Sequence, residues 1–538
     1  MENSNNYKQF MKQSCYNINN NQFIKINESS QLTINLRKKK LDEKLNEFHS
    51  KTESNLSKHE VESENTIKLC IISKNLLEEK DSEKVINILD KIYFFLISLK
   101  IPLKPNFIKI SNIIPNLINK MPFFERNETV LIKIYDVLEE IIKFFHPFDN
   151  NDNCFCLSNE QFFQLIYKLI DIYQNNENIM KKILNFLSNL VERFDKIKVF
   201  LMTIPGCYFI QSILSLDKLY PKYIIKLLKS FCNYPNLNDS TMKDFELMLA
   251  QECEKFITSF YQENKIEPNI IINNSDLFSN IFSCLYYISA STLKEVINIF
   301  FKYDKKSDAN LFEKMFAFEK LDKEHLAVKF LGILSNLFCS PEPSHIQYLI
   351  ENKSYQYVMD RLLDKFSSEK IIKEAASTLS NFVNTPEFRQ IFIKNNYIND
   401  IIKKFKENKS YEVTQGLLYV ISNIIYAIEG IELLSFIDSE LIPLCLELLM
   451  TLKEPHLLVK ILNIIELILY KGDPMSYVND FYKDSDDKIL NPFKYQFDSY
   501  GLYDILSNLY ANTKSTMVTE SIKRIMENFY DNKKIAFH

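Results

Sequence analysis

KFLGILSNLF (residues 329–338), AASTLSNFV (375–383) and GLLYVISNII (416–425) share one ending, an apolar run closed by Ser-Asn and a further apolar pair. The asparagines are Asn336, Asn381 and Asn423, 45 and then 42 residues apart. NFLSNLV at Asn189 is a fourth copy, 147 residues before Asn336, a gap that holds three more units. Two of those are marked by KLLKSFC at Ser230 and CLYYISA at Tyr287, and IIELILYKGD places Leu467 one period beyond Asn423. A period of about 40–47 residues belongs to stacked helical units, none of which buries its apolar face alone. Between the copies the text runs as one helix after another, with apolar residues at i, i+3, i+4 and i+7 and breaks at Asn, Pro or Asp-rich turns.

Composition agrees with this reading. The chain has 538 residues, 46% of them apolar, and a net charge of -4, a soluble globular balance. Only 6 residues are glycine, too few for an all-β protein of tight turns or for a phosphate-cradling loop. Adding apolar segments near 80–100 and 125–146 and a final helix pair near 499–531 gives about ten armadillo-sized repeats over 65–531, the last near 495–531, before a tail at 532–538. The fold expected is all-α, an armadillo-repeat solenoid wound as a right-handed superhelix, with the last helix of every repeat lining a concave groove. The Ser-Asn pairs fall on that helix. Asn is a poor mid-helix residue, so copies at one phase point to a groove-facing role, although Asn can also cap or brace a repeat.

Residues 1–27 read as a disordered Asn-rich tail, 28–50 as a short basic amphipathic helix and 51–64 as a polar linker. Within the helix, Ile34, Leu41, Leu45 and Phe48 share one face and Arg37, Lys40 and Lys44 the next. The first 50 residues carry a charge of +3 and the body -7, and the body shows no basic stripe, which argues against direct nucleic-acid binding. The N-terminus has no apolar signal-peptide core, and the longest apolar run, near Leu417 to Ile428, is broken by Ser422 and Asn423, so no membrane insertion is expected.

Nothing in the sequence carries catalytic chemistry. The ten cysteines are scattered, Cys154 and Cys156 form a single C-x-C with no second pair, and the seven histidines never fall at ligand spacing. No metal and no cofactor is expected. Adjacent acids such as Glu139 with Glu140, or Asp486 with Asp487, point in different directions on a helix and suit a solvated face. The chain is not expected to be an enzyme.

Three segments resemble the importin alpha family, adaptors that carry nuclear localisation signals. INLRKKKLDEKL (34–45) is similar to the V-E-L-R-K-x-K-R-x-E-x-L core of the importin-beta-binding helix, with YKQFMKQ upstream similar to its basic-aromatic start. IIKEAASTLSN (371–381) follows the K-E-A-x-W-x-x-S-N pattern of a signal-binding repeat, and YGLYDILSNLYANTKSTMVTESIKRIMENFY (500–530) resembles the last repeat. The resemblance implies a nuclear import adaptor that shuttles between cytoplasm and nucleus. It implies nuclear localisation signal peptides in the groove, with Asn189, Asn336, Asn381 and Asn423 on the peptide backbone, Glu374 as an acidic partner and Tyr419 as an aromatic wall. It implies importin beta on Leu36, Arg37, Lys38, Lys39, Lys40, Leu41 and Lys44, a segment that otherwise reads as a solvated basic helix, and an export receptor with the Ran GTPase on the C-terminal repeats.

The departures from the family matter as much. The chain has no Trp, and the positions four before the asparagines are Asn185, Gly332, Ser377 and Tyr419. Ser230 stands where an Asn is expected, with Lys226 at the aromatic position, and Gly416 replaces an acid. A cation at Lys226 would repel a basic peptide, so weak or altered cargo preference is expected. The alternative function is an armadillo interaction scaffold that has lost classical signal binding.

Overall fold

The computed structural model describes residues 58–99, 111–145, 160–202, 213–217, 219–232, 240–263, 274–291, 293–302, 309–319, 324–340, 342–383, 385–407, 410–428, 440–472 and 491–530, with a few isolated positions between. The tail at 1–27, the basic helix at 28–50 with Leu36 to Lys44, the C-x-C at Cys154 and Cys156 and the tail at 532–538 lie outside the described residues.

The chain divides into two compact units, residues 1–79 with 99–116, and residues 80–98 with 117–538. In the first, helix Lys58–Glu78 buries Leu69 and Leu76, and Asn116 donates from Nδ2 to Ser73 O and Oγ at 3.1 and 2.9 Å. That helix begins inside the stretch read as a polar linker at 51–64, which is a correction. KHEVESE is polar but holds no Gly or Pro, and the apolar turns that follow it hold the helix.

The second unit is an all-α armadillo-repeat solenoid built on ten helices, each packed on the next. We label them α1 (Ser82–Ser98), α2 (Glu128–Lys143), α3 (Glu177–Arg193), α4 (Pro221–Phe231) and α5 (Ser275–Ser289). They continue with α6 (Glu324–Leu337), α7 (Glu369–Phe382), α8 (Tyr411–Ala427), α9 (Pro455–Lys471) and α10 (Thr516–Tyr530). Every Ser-Asn copy lies on this ladder. A second layer, including Ser240–Glu263, Ser354–Leu363, Tyr397–Glu407 and Leu441–Thr451, packs on the ladder helices from one side. The core sits between the layers.

Helix α7 shows how the sequence specifies a unit. Ser368 caps its start by accepting from Ile371 N, and Glu369 sits in the first turn, where a negative charge suits the helix dipole. Ile371, Ile372, Ala375, Ala376, Leu379 and Phe382 recur every three or four residues and are buried. With glycine so rare, proline does much of the punctuation: Pro221, Pro343, Pro386, Pro455 and Pro492 each sit in the first turn of a helix. Asparagine supplies several caps, with Asn127, Asn176 and Asn491 accepting from backbone N–H groups at α2, α3 and helix Pro492–Ser499. Phe312, Phe316 and Tyr357 from the second layer close on Phe330 of α6 with ring centroids 5.5–5.9 Å apart. Cys232, Cys253, Cys284 and Cys445 are buried among such residues.

Candidate functional site

The asparagines first. Asn336, Asn381 and Asn423 lie near the C-terminal ends of α6, α7 and α8, and each reaches back to the preceding helix. Asn336 Nδ2 donates to Ser289 Oγ at 2.9 Å and Tyr286 O at 3.3 Å. Asn381 Nδ2 donates to Ser335 Oγ at 2.8 Å and Ser335 O at 3.3 Å, and Asn423 Nδ2 donates to Ser380 O at 2.9 Å. A carbonyl acceptor fixes the amide orientation, because only the NH2 end can donate. The acceptors are final-turn carbonyls, which an α-helix leaves without a backbone donor, although Tyr286 O also accepts from the Ser289 hydroxyl at 2.7 Å. Each Asn therefore caps the helix before it, and the bracing role left open by the sequence is realised. The Oδ1 atoms accept nothing among the described residues. Asn189 is half-buried at the matching place on α3, where Arg193 Nη1 makes the backward contacts, at 3.5 Å to Lys143 O and 3.4 Å to Phe145 O. On α9 Lys471 does the same, donating to Tyr426 O at 3.0 Å and to Ile428 O.

The serines set the register. Ser289, Ser335 and Ser380 all sit beneath an Asn from the next repeat, so Ala290 occupies the Asn position of α5 and Tyr286 the position four before it. This corrects the sequence alignment, which marked this unit by Tyr287. It also bears on Ser230, which is buried in α4 with its hydroxyl on Leu227 O at 2.6 Å, so it does not present an Asn-like group. The 46- and 45-residue spacing of Ser289, Ser335 and Ser380 was the available signal.

Tyr286 is an aromatic wall that the sequence reading missed. Its ring lies across Gly332, where an added Cβ would stand 2.5 Å from Tyr286 Cε2 and 3.3 Å from a Glu374 carboxylate oxygen. Gly332 is thus the floor of a narrow slot that the Tyr286 ring and the Glu374 carboxylate already fill. Burial pushes the Glu374 carboxyl above its ordinary range, partly offset by Lys373, and burial together with the Glu374 charge raises the Tyr286 phenol. No described cation lies within ion-pair distance of Glu374.

Tyr419 has a different neighbour. Lys460 of α9 places its ammonium 3.9 Å from the Tyr419 ring centroid. Burial pushes Lys460 down to about 8. Lys329 of α6 is likewise pushed down to about 8, by burial and then by the charge of Lys229, and donates to Ser279 O and Oγ at 2.6 and 2.8 Å. Neither has a carboxylate within ion-pair distance among the described residues. Lys226 of α4 donates to Asn185 Oδ1 at 2.8 Å, occupying one of the positions four before an Asn. Other ladder lysines find a carboxylate one repeat away, as Lys133 does on Asp90 at 2.6 Å, Lys373 on Glu412 at 2.8 Å and Lys182 on Asp136.

Among the described residues no group of His, Cys, Asp and Glu is placed to hold a metal ion, and no helix is long and apolar enough to cross a membrane. No family model matches the chain, and no curated protein matches it. Solved structures do. One, from work on a phosphorylation switch that controls the interaction between cadherin and beta-catenin, is 11% identical with a TM-score of 0.51, over 86% of this chain and 85% of that one. A designed armadillo repeat protein in complex with the peptide (KR)4 is 16% identical with a TM-score of 0.38, over 53% of this chain and 98% of that one. At such identities the likeness establishes the fold, an armadillo-repeat solenoid.

Proposed function

We propose that the protein is an armadillo-repeat adaptor that holds an extended segment of a partner protein along the exposed face of the ladder. The observation that carries this reading is the column of Asn336, Asn381 and Asn423, whose amide NH2 groups brace the preceding helix while each Oδ1 is left to accept. Packed helices stand roughly 10 Å apart, and an extended chain advances about 3.3 Å per residue. Each Asn therefore meets about every third residue of a bound segment and can accept its backbone N–H. Side chains between those anchors are read by what lies beside them, the Tyr286–Glu374 pair above all. The function is binding, without catalysis.

A photo-cross-linker replacing the exposed Ser377, one turn before Asn381, tests this in the full chain, with the same group at Lys403 on the second layer as control. Short contiguous partner segments captured from Ser377 and not from Lys403 support the reading. Equal capture at both positions defeats it.

The finer reading is a nuclear import adaptor of the importin alpha kind, shuttling between cytoplasm and nucleus. It rests on the resemblance of residues 34–45 and 371–381 and on the placing of an aromatic ring, Tyr286, beside a half-buried acid, Glu374. In that reading Leu36, Arg37, Lys38, Lys39, Lys40, Leu41 and Lys44 hold importin beta, and Asn189, Asn336, Glu374, Asn381, Tyr419 and Asn423 hold the signal. The export receptor with Ran would take the C-terminal repeats. The scaffold reading without classical signal binding is favoured by Lys226 and Lys460, which stand where a basic signal would need neutral or acidic groups. Loss of importin beta from pull-downs when residues 1–50 are deleted would support the import reading; no importin beta with the full chain would leave the scaffold.

A further inference from the structure

Lys329 on α6 and Lys460 on α9 are half-buried ammonium groups with no carboxylate within ion-pair distance among the described residues, as are Lys226 and Lys229 on α4. Withdrawing an ammonium from water without a counter-charge is unfavourable, and Lys133, Lys182 and Lys373 on the ladder take their acid from a neighbouring repeat. Lys329 rests only on the carbonyl and hydroxyl of Ser279, and Lys460 only on the Tyr419 ring. A partner cation arriving at Tyr419 would meet the Lys460 charge, and one arriving at Lys329 would meet Lys229 as well.

We propose that the segment bound along the ladder is acidic at two points, with one carboxylate against Lys329 and another against Lys460. The inference rests on the ladder face being the docking face. It fixes a spacing: three helix steps of roughly 10 Å, spanned at about 3.3 Å per residue, separate the two acids by about nine residues. Between them Asn336, Asn381 and Asn423 take the backbone, and Glu374 disfavours a third acid in the middle. A nucleic acid fits less well, because two lysines three helices apart with a carboxylate between them do not follow a phosphate backbone.

Three labelled decapeptides of Ser, Ala and Val, carrying Glu, Lys or Gln at both ends, and a twelve-residue oligothymidine serve as probes. Binding to the full chain, to Lys329→Gln and to Lys460→Gln is read by fluorescence anisotropy. The Glu peptide is expected to bind about tenfold tighter than the Gln peptide, with most of that margin lost in either variant and in high salt. Tighter binding of the Lys peptide, a Glu preference that survives both substitutions, or equal binding of the oligothymidine would overturn the proposal. Equal weak binding of all three peptides also rejects it, while the cross-linking at Ser377 decides separately whether the ladder face docks a partner. Each Lys→Gln change removes a buried unpaired charge, and thermal melts confirm that lost binding is not lost folding.

Discussion

The Lys460 ammonium stands 3.9 Å from the centre of the Tyr419 ring, so a lysine of one repeat fills the aromatic wall of the repeat before it. This pair closes to a partner's cation the only aromatic position that the sequence alone had offered for one. It leaves Tyr286, beside Glu374, as the open wall.

Lys329 and Lys460 contribute a part of the stability that rises with pH across the range in which they titrate, against the buried thiols, whose raised values act the other way. Lys460 and Lys329 are held near 8 in the folded chain, against an ordinary value of 10.5. Between those limits these groups bind more protons in the unfolded state than in the folded one, so their part of the unfolding free energy increases as pH rises. The change in urea midpoint from pH 7.5 to 9.5 should therefore be more positive in the parent chain than in the Lys329→Met, Lys460→Met double variant, and an equal change in both would refute the assignment.

Asn381→Ala should destabilise by about 1–2 kcal/mol, because Ser335 O at the end of α6 loses its donor. Asn381→Asp keeps the shape but loses the donor to the Ser335 carbonyl, and its carboxylate can only accept from the Ser335 hydroxyl. Hydrogen exchange over α6 and α7 would localise both effects. Undiminished stability and unchanged exchange of α6 in Asn381→Ala would refute the capping role.

Arg524 clasps the buried carboxylate of Glu466 through Nε at 2.7 and 2.9 Å and Nη2 at 2.7 Å, with Nη2 also on Asn463 at 3.0 Å. Arg524→Met strands that carboxylate and should cost about 2 kcal/mol, below the value for a fully buried pair because Arg524 is half-exposed. The double change with Glu466→Leu should recover most of it. Chemical denaturation of the four members of the cycle checks the coupling.

Phe330→Ala removes a fully buried ring that Phe312, Phe316 and Tyr357 close upon, at a cost of about 3–5 kcal/mol. Because repeats contact mainly their neighbours, the loss should appear as early exchange of α6 and its flanks, ahead of α1 to α3.

Gly332→Ala tests the slot. The new methyl would overlap the Tyr286 ring, so the ring must swing aside. The gain in helix propensity, about 1 kcal/mol, offsets much of the strain. Stability should change little while the Tyr286 ring resonances shift; unchanged resonances would mean that Tyr286 does not rest on Gly332 in solution.

Much of the fold was legible because one local signal recurs. Ser-Asn at the end of an apolar run marks Asn336, Asn381 and Asn423, and all three fall at one phase of successive ladder helices. The reading slipped where that signal is broken. Ala290 replaces the Asn of α5, and helix Ser240–Glu263 stretches the distance from α4 to α5, so Tyr286 went unseen and Ser230 was given a role its burial does not allow. The site was less legible than the fold. Whether a lysine meets a carboxylate of the neighbouring repeat depends on a residue about 40 positions away, and a shift of one residue in register changes the partner. Lys133 and Lys329 look alike in the sequence, and only one of them meets an acid.

The backward capping of one helix by the next gives the array a direction. The carbonyls ending α5, α6, α7 and α8 receive their donors from Asn336, Asn381, Asn423 and Lys471, each supplied by the following repeat. A nascent repeat is therefore unfinished until roughly 45 more residues have left the ribosome, a wait of about 2–9 s at ordinary elongation rates. A chain truncated within this region always ends on an uncapped helix, whereas one begun late keeps every cap it contains.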